Sequence, residues 1–323
     1  MNYRTFGRTG WQVSEIAFGA WQLGGTWGAV DERESIDTLL YAFEKGINLV
    51  DTAVLYGNGK SESTIGKALK QWRGDRIFVA TKVPPLGISA GQISGISIKG
   101  CYPEHHVREN VEASLQRLGV ECIDLLQLHL WIEDGIEHLD WLDALRKLVT
   151  EGKIRHFGVS LPDIRPATGV ALARSVLVDS QQVIFNIFEQ EPADELFREG
   201  ERTSTAFIAR VPFDSGALTG TWTVDTYSEW DEGDKRHHMY KGDRFADTLA
   251  RVDAIRSTCK PYYPSLAEAA MKYSLHDPAV STVACGMRYK SEVDLNTSYS
   301  DGAEFPEELR LSLQRFAWKH RFY

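Results

Sequence analysis

The chain has 323 residues, 43% of them hydrophobic and 25% charged, and a formal net charge of −9. This mixture supplies a large core, and an acidic chain without clustered Lys and Arg argues against nucleic acid as a partner, since phosphate neutralisation needs a basic patch. No stretch approaches the roughly 18 apolar residues that a membrane helix requires, which argues against a membrane protein.

The opening residues "MNYRTFGRTG" have no apolar core of signal-peptide type. Cys101, Cys122, Cys259 and Cys285 lie far apart without paired spacing. Neither a disulfide framework nor a zinc site is predicted, and the expected setting is a reducing cytoplasm.

"YRTF" and "WQVS" around "GRTGW" predict a β-hairpin that plugs one end of the fold. Eight short β-rich runs follow: "EIAF" (15–18), "INLV" (47–50), "IFVA" (77–80), "IDLLQL" (123–128), "IRHFGV" (154–159), "QQVIF" (181–185), "AFIA" (206–209) and "VSTVA" (280–284). Each is apolar enough to be covered on both faces, as parallel strands are. Amphipathic stretches separate them. Ile36, Leu39, Leu40 and Phe43 keep helical spacing before Gly46. Val107, Val111, Leu115 and Leu118 form a stripe between Pro103 and Gly119. Leu139, Leu142, Leu145 and Val149 repeat it before Gly152, and Ser265 with Glu268 reads as a capping box. The alternation predicts a (β/α)8 TIM barrel over residues 1–323 as one domain. An open doubly wound sheet is disfavoured, because no G-x-G-x-x-G opens a helix after the first strand. Residues 84–103, with four glycines, and residues 219–242, with Trp222, Tyr227, Trp230 and Tyr240, exceed the regular count. As long loops after strands, both are expected to rim the C-terminal face, where barrel enzymes work.

The residues that end the strands carry the chemistry. The second strand ends at Asp51, and Tyr56 follows beside Gly57 and Gly59; the third ends in Thr81-Lys82, the fourth at His129 and the fifth at Ser160. The sixth leads to Asn186 and the eighth to Gly286-Met287-Arg288. Taken singly, these have plain structural roles: a turn aspartate, a snorkelling lysine, a hydrogen-bonded core histidine. Together, Asp, Tyr, Lys and His on one face suit proton transfer to a carbonyl oxygen. A free phenol titrates near pH 10, and a neighbouring ammonium favours the phenolate and lowers that value. Asp51 would keep Lys82 charged and aimed at Tyr56, while His129, if neutral, would orient the carbonyl. None of these groups supplies electrons, so a nicotinamide cofactor is implied. A Schiff-base lysine, as in aldolases, is the other enzymatic use of such a residue. "HHM" (237–239) reads as solvated, His105 and His106 as capping or surface residues, and no metal is expected.

"DTAVLYGNGKSE", "VATKV" and "LLQLH" resemble the aldo-keto reductase superfamily. "FGAWQLGG", "RLGVECIDLLQLH", "EGKIRHFGVS", "QVIFN" and "GMRYKSEVDLN" extend the resemblance over nearly the whole chain. It implies a catalytic tetrad of Asp51, Tyr56, Lys82 and His129, with Tyr56 as general acid. It also implies an extended NADP(H), with NAD(H) possible, lying across the C-terminal face without a Rossmann domain. Ser160 and Gln182 would hold the nicotinamide carboxamide, and Gly19, Trp21 and Asp51 would also bind the cofactor. "VPFDSGALTG" (211–220) would run along the pyrophosphate, lined by Pro212, Phe213, Ser215, Gly216 and Leu218. Gly286, Met287, Arg288, Glu292 and Asn296 would surround the adenosine, and the guanidinium of Arg288 suits a 2′-phosphate, which favours NADPH. Trp21, Trp27, Tyr56, His129 and Trp131 would form the substrate pocket.

Two departures from the family pattern stand out. Leu161 and Pro162 follow Ser160 where the family usually has Asn. Arg210 replaces the aromatic residue that stacks on the nicotinamide; it could cover the ring, contact an anionic substrate or reach the cofactor phosphates. The expected reaction is reduction of an aldehyde or ketone, or in reverse oxidation of a sugar or secondary alcohol. A cofactor-holding redox sensor with slow turnover, like the superfamily's channel-associated subunits, is the alternative. The sequence does not specify an oligomeric state.

Overall fold

The computed structural model describes residues 1–25, 27–28, 30–88 and 95–320. Tyr3–Thr5 (β1) and Gln12–Ser14 (β2) pair antiparallel as the expected hairpin. Phe6 and Val13 are wholly buried in one cluster with Leu49, Phe78 and Ala206, and Trp11 stacks on Phe78 at 4.6 Å. The hairpin is thus a stopper for the barrel. Arg4 fastens it by donating to Glu15 and to the carbonyls of Leu275, Asp277 and Val280.

The eight strands are Ile16–Gly19 (β3), Leu49–Asp51 (β4), Phe78–Val83 (β5), Ile123–Leu128 (β6), Ile154–Ser160 (β7), Ser180–Ile184 (β8), Ala206–Arg210 (β9) and Val280–Gly286 (β10). Each pairs parallel with the next, and β10 pairs with both β9 and β3, closing the ring. The order agrees with the sequence reading. The bounds differ by a few residues, largely because several strands run past their apolar core to a polar last turn of pleat. Asp51, Lys82, Ser160 and Arg210 are therefore strand residues, fixed by ladder hydrogen bonds rather than carried on loops.

The outer layer is Glu32–Glu44 (α1), Lys60–Gln71 (α2), Glu104–Leu118 (α3), Asp140–Thr150 (α4), Thr168–Ser175 (α5), Leu196–Thr203 (α6), Thr226–Glu229 (α7), Lys235–Met239 (α8), Arg244–Cys259 (α9), Leu266–Leu275 (α10), Lys290–Ser298 (α11) and Glu307–Leu313 (α12). Ser265 accepts the Glu268 N–H at the start of α10, and left-handed Gly119 ends α3. In α4 the buried stripe is Trp141, Leu142, Ala144, Leu145 and Leu148, whereas Leu139 and Val149 are exposed. Leu139 is the residue before the helix, so the apolar spacing assigned it to a turn that does not exist.

Residues 219–242 are not an open loop. They contain α7 and α8, bury Trp222 and Tyr240, and pack Trp222 on Phe245 at 5.7 Å. This strap has its own aromatic core. Residues 89–94 of the other long segment lie outside the described residues; the rest is tied down by His106 on the Pro84 carbonyl and by the Tyr102 hydroxyl donating to the Leu130 carbonyl, both at 2.8 Å. Among the described residues no helix is long and apolar enough to cross a membrane.

Candidate active site

Asp51 ends β4 and Lys82 lies on its neighbour β5, both almost fully buried. Lys82 Nζ donates to both Asp51 oxygens and to the Thr52 carbonyl at 2.8 Å, and reaches the Tyr56 hydroxyl at 3.4 Å. Asp51 Oδ1 also accepts from the amides of Gln182 (2.9 Å) and Gln127 (3.3 Å). Buried charges need opposite charge and full hydrogen bonding, and this cluster supplies both.

Tyr56 is brought back over Lys82 by a left-handed turn, Gly57, Asn58 and Gly59, with φ of 66°, 52° and 86°. The turn after β3 packs on it backbone to backbone: a Cβ on Gly24 would lie 2.6 Å from the Gly57 nitrogen. Beneath, the Thr81 hydroxyl donates to Glu62 at 2.5 Å and Arg117 donates to the other oxygen at 2.6 Å. Arg117 also lies across Gly59, where a Cβ would meet it at 2.6 Å. One buried carboxylate therefore links the lysine strand, the tyrosine turn and α3.

Burial works against the charge on Lys82, but the Asp51 carboxylate and the Tyr56 phenol more than offset it, and its pKa is raised. Tyr56 also moves up: burial opposes the phenolate more strongly than the Lys82 ammonium favours it. This reverses the expected direction. The group is held as the neutral phenol rather than the phenolate. Burial, reinforced by Lys82 and Arg210, pushes His129 down to about 3, so its imidazole is neutral. The ring stands edge-on to Tyr56 at 6.0 Å, and among the described residues its buried Nδ1 has no hydrogen-bond partner. An orphaned buried N–H is rarer than an under-used acceptor, so the ring proton belongs on Nε2.

Trp21 lies 6.3 Å from the Tyr56 ring and meets the edge of Trp27 at 5.3 Å. The strap crosses here: the Arg236 guanidinium sits 4.9 Å from Trp27 and 4.7 Å from Trp230, and Lys235 Nζ lies 5.8 Å over Trp21. Arg288 donates to the Trp27 carbonyl at 2.8 Å. Glu292 accepts from the Arg288 and Tyr289 N–H groups and so caps α11. Met287 is wholly buried, and Asn296, also buried, donates to Cys285 Sγ at 3.3 Å. Gly19 pairs with Gly286, where a Cβ would strike Gln22. Ser160 is buried at the end of β7; Pro212, Ser215 and Leu218 are buried in the loop after β9, with Phe213 and Gly216 half-buried. The two departures from the family pattern meet each other. Arg210 reaches from β9 to donate to the Leu161 carbonyl and forms an ion pair with Asp163.

Trp131 does not join the tetrad. It is wholly buried, donates its indole N–H to the Thr168 carbonyl at 3.1 Å and packs edge-on to Trp141. It borders a separate cavity of about 400 Å³ with Leu130, Ile132, Pro162 and Arg165. A large apolar side chain leaving a buried strand is drawn into the helix layer. The sequence reading also passed over Gln127, Glu62, Arg117 and Asp163; a glutamine inside the apolar run "IDLLQL" was the available signal for the first.

The model of the aldo/keto reductase family matches residues 15–309. The chain belongs to this family. As a member it is an NAD(P)H-dependent oxidoreductase. It is 29% identical over 300 residues to aldo-keto reductase YhdN of Bacillus subtilis (strain 168), covering 91% of this chain and 87% of that one. It is 27% identical over 326 residues to the NADH-specific methylglyoxal reductase of Escherichia coli (strain K12), covering 96% and 98%. The solved aldo-keto reductase AKR11C1 from Bacillus halodurans, in its holo form, superposes with a TM-score of 0.75 at 27% identity, covering 99% of this chain and 97% of that one.

Proposed function

We propose that this aldo-keto reductase reduces a small aldehyde or ketone with NADPH, and that Tyr56 is its general acid. The carrying observation is Lys82, fixed by both oxygens of Asp51 and 3.4 Å from the Tyr56 hydroxyl. The bound nicotinamide supplies the hydride. Tyr56 O–H and the Nε2–H of neutral His129 donate to the substrate oxygen and aim the carbonyl carbon at the hydride donor. As negative charge develops on that oxygen, the phenol proton passes to it and the alcohol forms. The phenolate left behind is stabilised by the Lys82 ammonium, which Asp51 keeps charged. In the reverse direction the same phenolate takes the proton from a sugar or secondary alcohol.

Several features fit a dinucleotide. The small residues and left-handed backbone of residues 211–220 allow close approach of a pyrophosphate, and Arg288 beside Trp27 provides a guanidinium at the far end of the groove. Ser160 would hold the carboxamide; Gln182, engaged with Asp51, would share its remaining amide contacts with it. Arg288 supports NADPH over NADH, although the Escherichia coli relative is by name NADH-specific. Tyr56→Phe is expected to keep NADPH affinity while losing about 10²–10⁴ of turnover, the usual worth of general acid catalysis. Near-normal turnover of several carbonyl compounds by that variant refutes the role given to Tyr56.

A further inference from the structure

The interior of β6 carries a polar side chain that the proposed reaction does not use. Ile123–Leu128 is buried at every position, and within it Gln127 stands among leucines, wholly buried. Its register partner on β5 is Lys82. Its amide donates to Asp51 Oδ1 at 3.3 Å, while its own oxygen is buried with no hydrogen-bond partner among the described residues. Turned over, the amide would set oxygen against carboxylate, so the orphaned atom is fixed by the contact with Asp51. A buried acceptor without a partner weakens a fold, and an apolar side chain of the same size would not. Stability therefore does not account for a glutamine here.

The demand comes from Asp51. Barrels of this kind fill their interior in layers drawn from alternate strands. Asp51, Gln127 and Gln182 come from β4, β6 and β8 and meet at one oxygen: Asp51 Oδ1 accepts from Gln127, from Gln182 at 2.9 Å and from Lys82 at 2.8 Å. Lys82 in turn has three protons for four acceptor atoms, namely both oxygens of Asp51, the Thr52 carbonyl and the Tyr56 hydroxyl. The Tyr56 contact is the longest, 3.4 Å against 2.8 Å for the others. A donor on Oδ1 weakens the carboxylate's hold on the ammonium and leaves more of the cation facing the phenol. It also damps the field of Asp51 at Tyr56. Burial raises the Tyr56 pKa most; Lys82 lowers it and Asp51 raises it, so both effects of the donor act in the same direction.

We infer that Gln127 is a positioning residue for proton transfer: by donating to Asp51 it divides Lys82 between that carboxylate and Tyr56, and so leaves the ammonium able to stabilise the phenolate that the transfer creates. This rests on the reading of Tyr56 as general acid. Without Gln127, Asp51 draws the ammonium to itself, and the phenol gives up its proton less readily.

The test uses Gln127→Met, which keeps length and volume but removes the donor. It is read by fluorescence titration with NADPH and by turnover of whichever small aldehyde or ketone the wild type reduces fastest, in the wild-type and Tyr56→Phe backgrounds. Gln127→Met is expected to bind NADPH within about twofold of wild type and to lose about tenfold in kcat, in line with a hydrogen bond to a charged group. In the Tyr56→Phe background the same change should alter kcat by less than about twofold, because the group it acts through is gone. A kcat within about twofold of wild type, equal losses in the two backgrounds, or NADPH affinity falling in step with kcat overturns the proposal. Should Gln127→Met not fold, Gln127→Leu is read in the same way; if neither folds, the glutamine holds the barrel and the proposal falls. Full turnover by Tyr56→Phe alone is a different failure: it refutes the general-acid reading, and this inference with it.

Discussion

His129 and His320 are one residue type under opposite demands. Burial pushes His129 down to about 3, so its ring is neutral; buried His320 has Nε2 3.0 Å from Asp214 Oδ1, which outweighs burial and raises its pKa. The neutral ring has a measurable cost in acid. An unfolded histidine protonates near its ordinary 6.5, whereas folded His129 does not until about 3. Between those values the unfolded state binds the extra proton, so stability falls as pH drops from 6.5 towards 3. Urea titrations across that range are expected to show a smaller acid loss in His129→Gln than in the wild type; equal losses place the sensitivity elsewhere. Tyr56 titrates above its ordinary value of 10. The reductive rate should therefore show no loss from phenol ionisation up to pH 10, which a pH–rate profile checks. At the far end of the groove, Arg288→Ala should weaken NADPH by about tenfold or more and leave NADH nearly unchanged, since a forked guanidinium–phosphate contact is lost only with the former. Parallel titrations decide it.

At the scale of elements, the site depends on how two turns and one helix are tied together. Arg117 on α3 pairs with buried Glu62 and covers Gly59, and Glu62 accepts from Thr81, the residue before Lys82. Arg117→Ala removes a charged hydrogen bond worth about 2 kcal/mol and loosens the Tyr56 turn. Both the thermal midpoint and kcat should fall, with partial recovery in Arg117→Lys; a stability loss with kcat intact would detach Arg117 from the tyrosine. This link was not legible in the sequence, because it joins positions 55 residues apart through a side chain that reads as an ordinary helical arginine. The strands and their reactive ends were legible, since buried parallel strands are apolar runs and Asp51, Lys82 and His129 break or end them. Trp131 misled for the opposite reason. Its place two residues after His129 says which end of the strand it occupies but not which layer it enters. In the same way Leu139 fitted a helical spacing whose helix begins one residue later.

At the scale of the molecule, the hairpin and the cluster of Asp51, Tyr56, Lys82 and His129 occupy opposite ends of the barrel. The hairpin closes one end through Phe6, Trp11 and Val13, and the tetrad opens at the other. Trp11→Ala, at a half-buried ring, should cost about 2 kcal/mol of stability without altering either KM, and thermal melts beside steady-state kinetics test this. A KM change would mean that the stopper shapes the mouth. The strap reaches that end, with its Arg236 guanidinium held between Trp27 of the turn after β3 and the strap's own Trp230. Any movement that lifts the strap must part Trp27 from Arg236 and change the solvent around that indole. The molecule thus carries an optical reporter across its own groove. With the other tryptophans replaced by phenylalanine, the emission of Trp27 would time the entry and departure of a ligand within a single turnover, without an added dye.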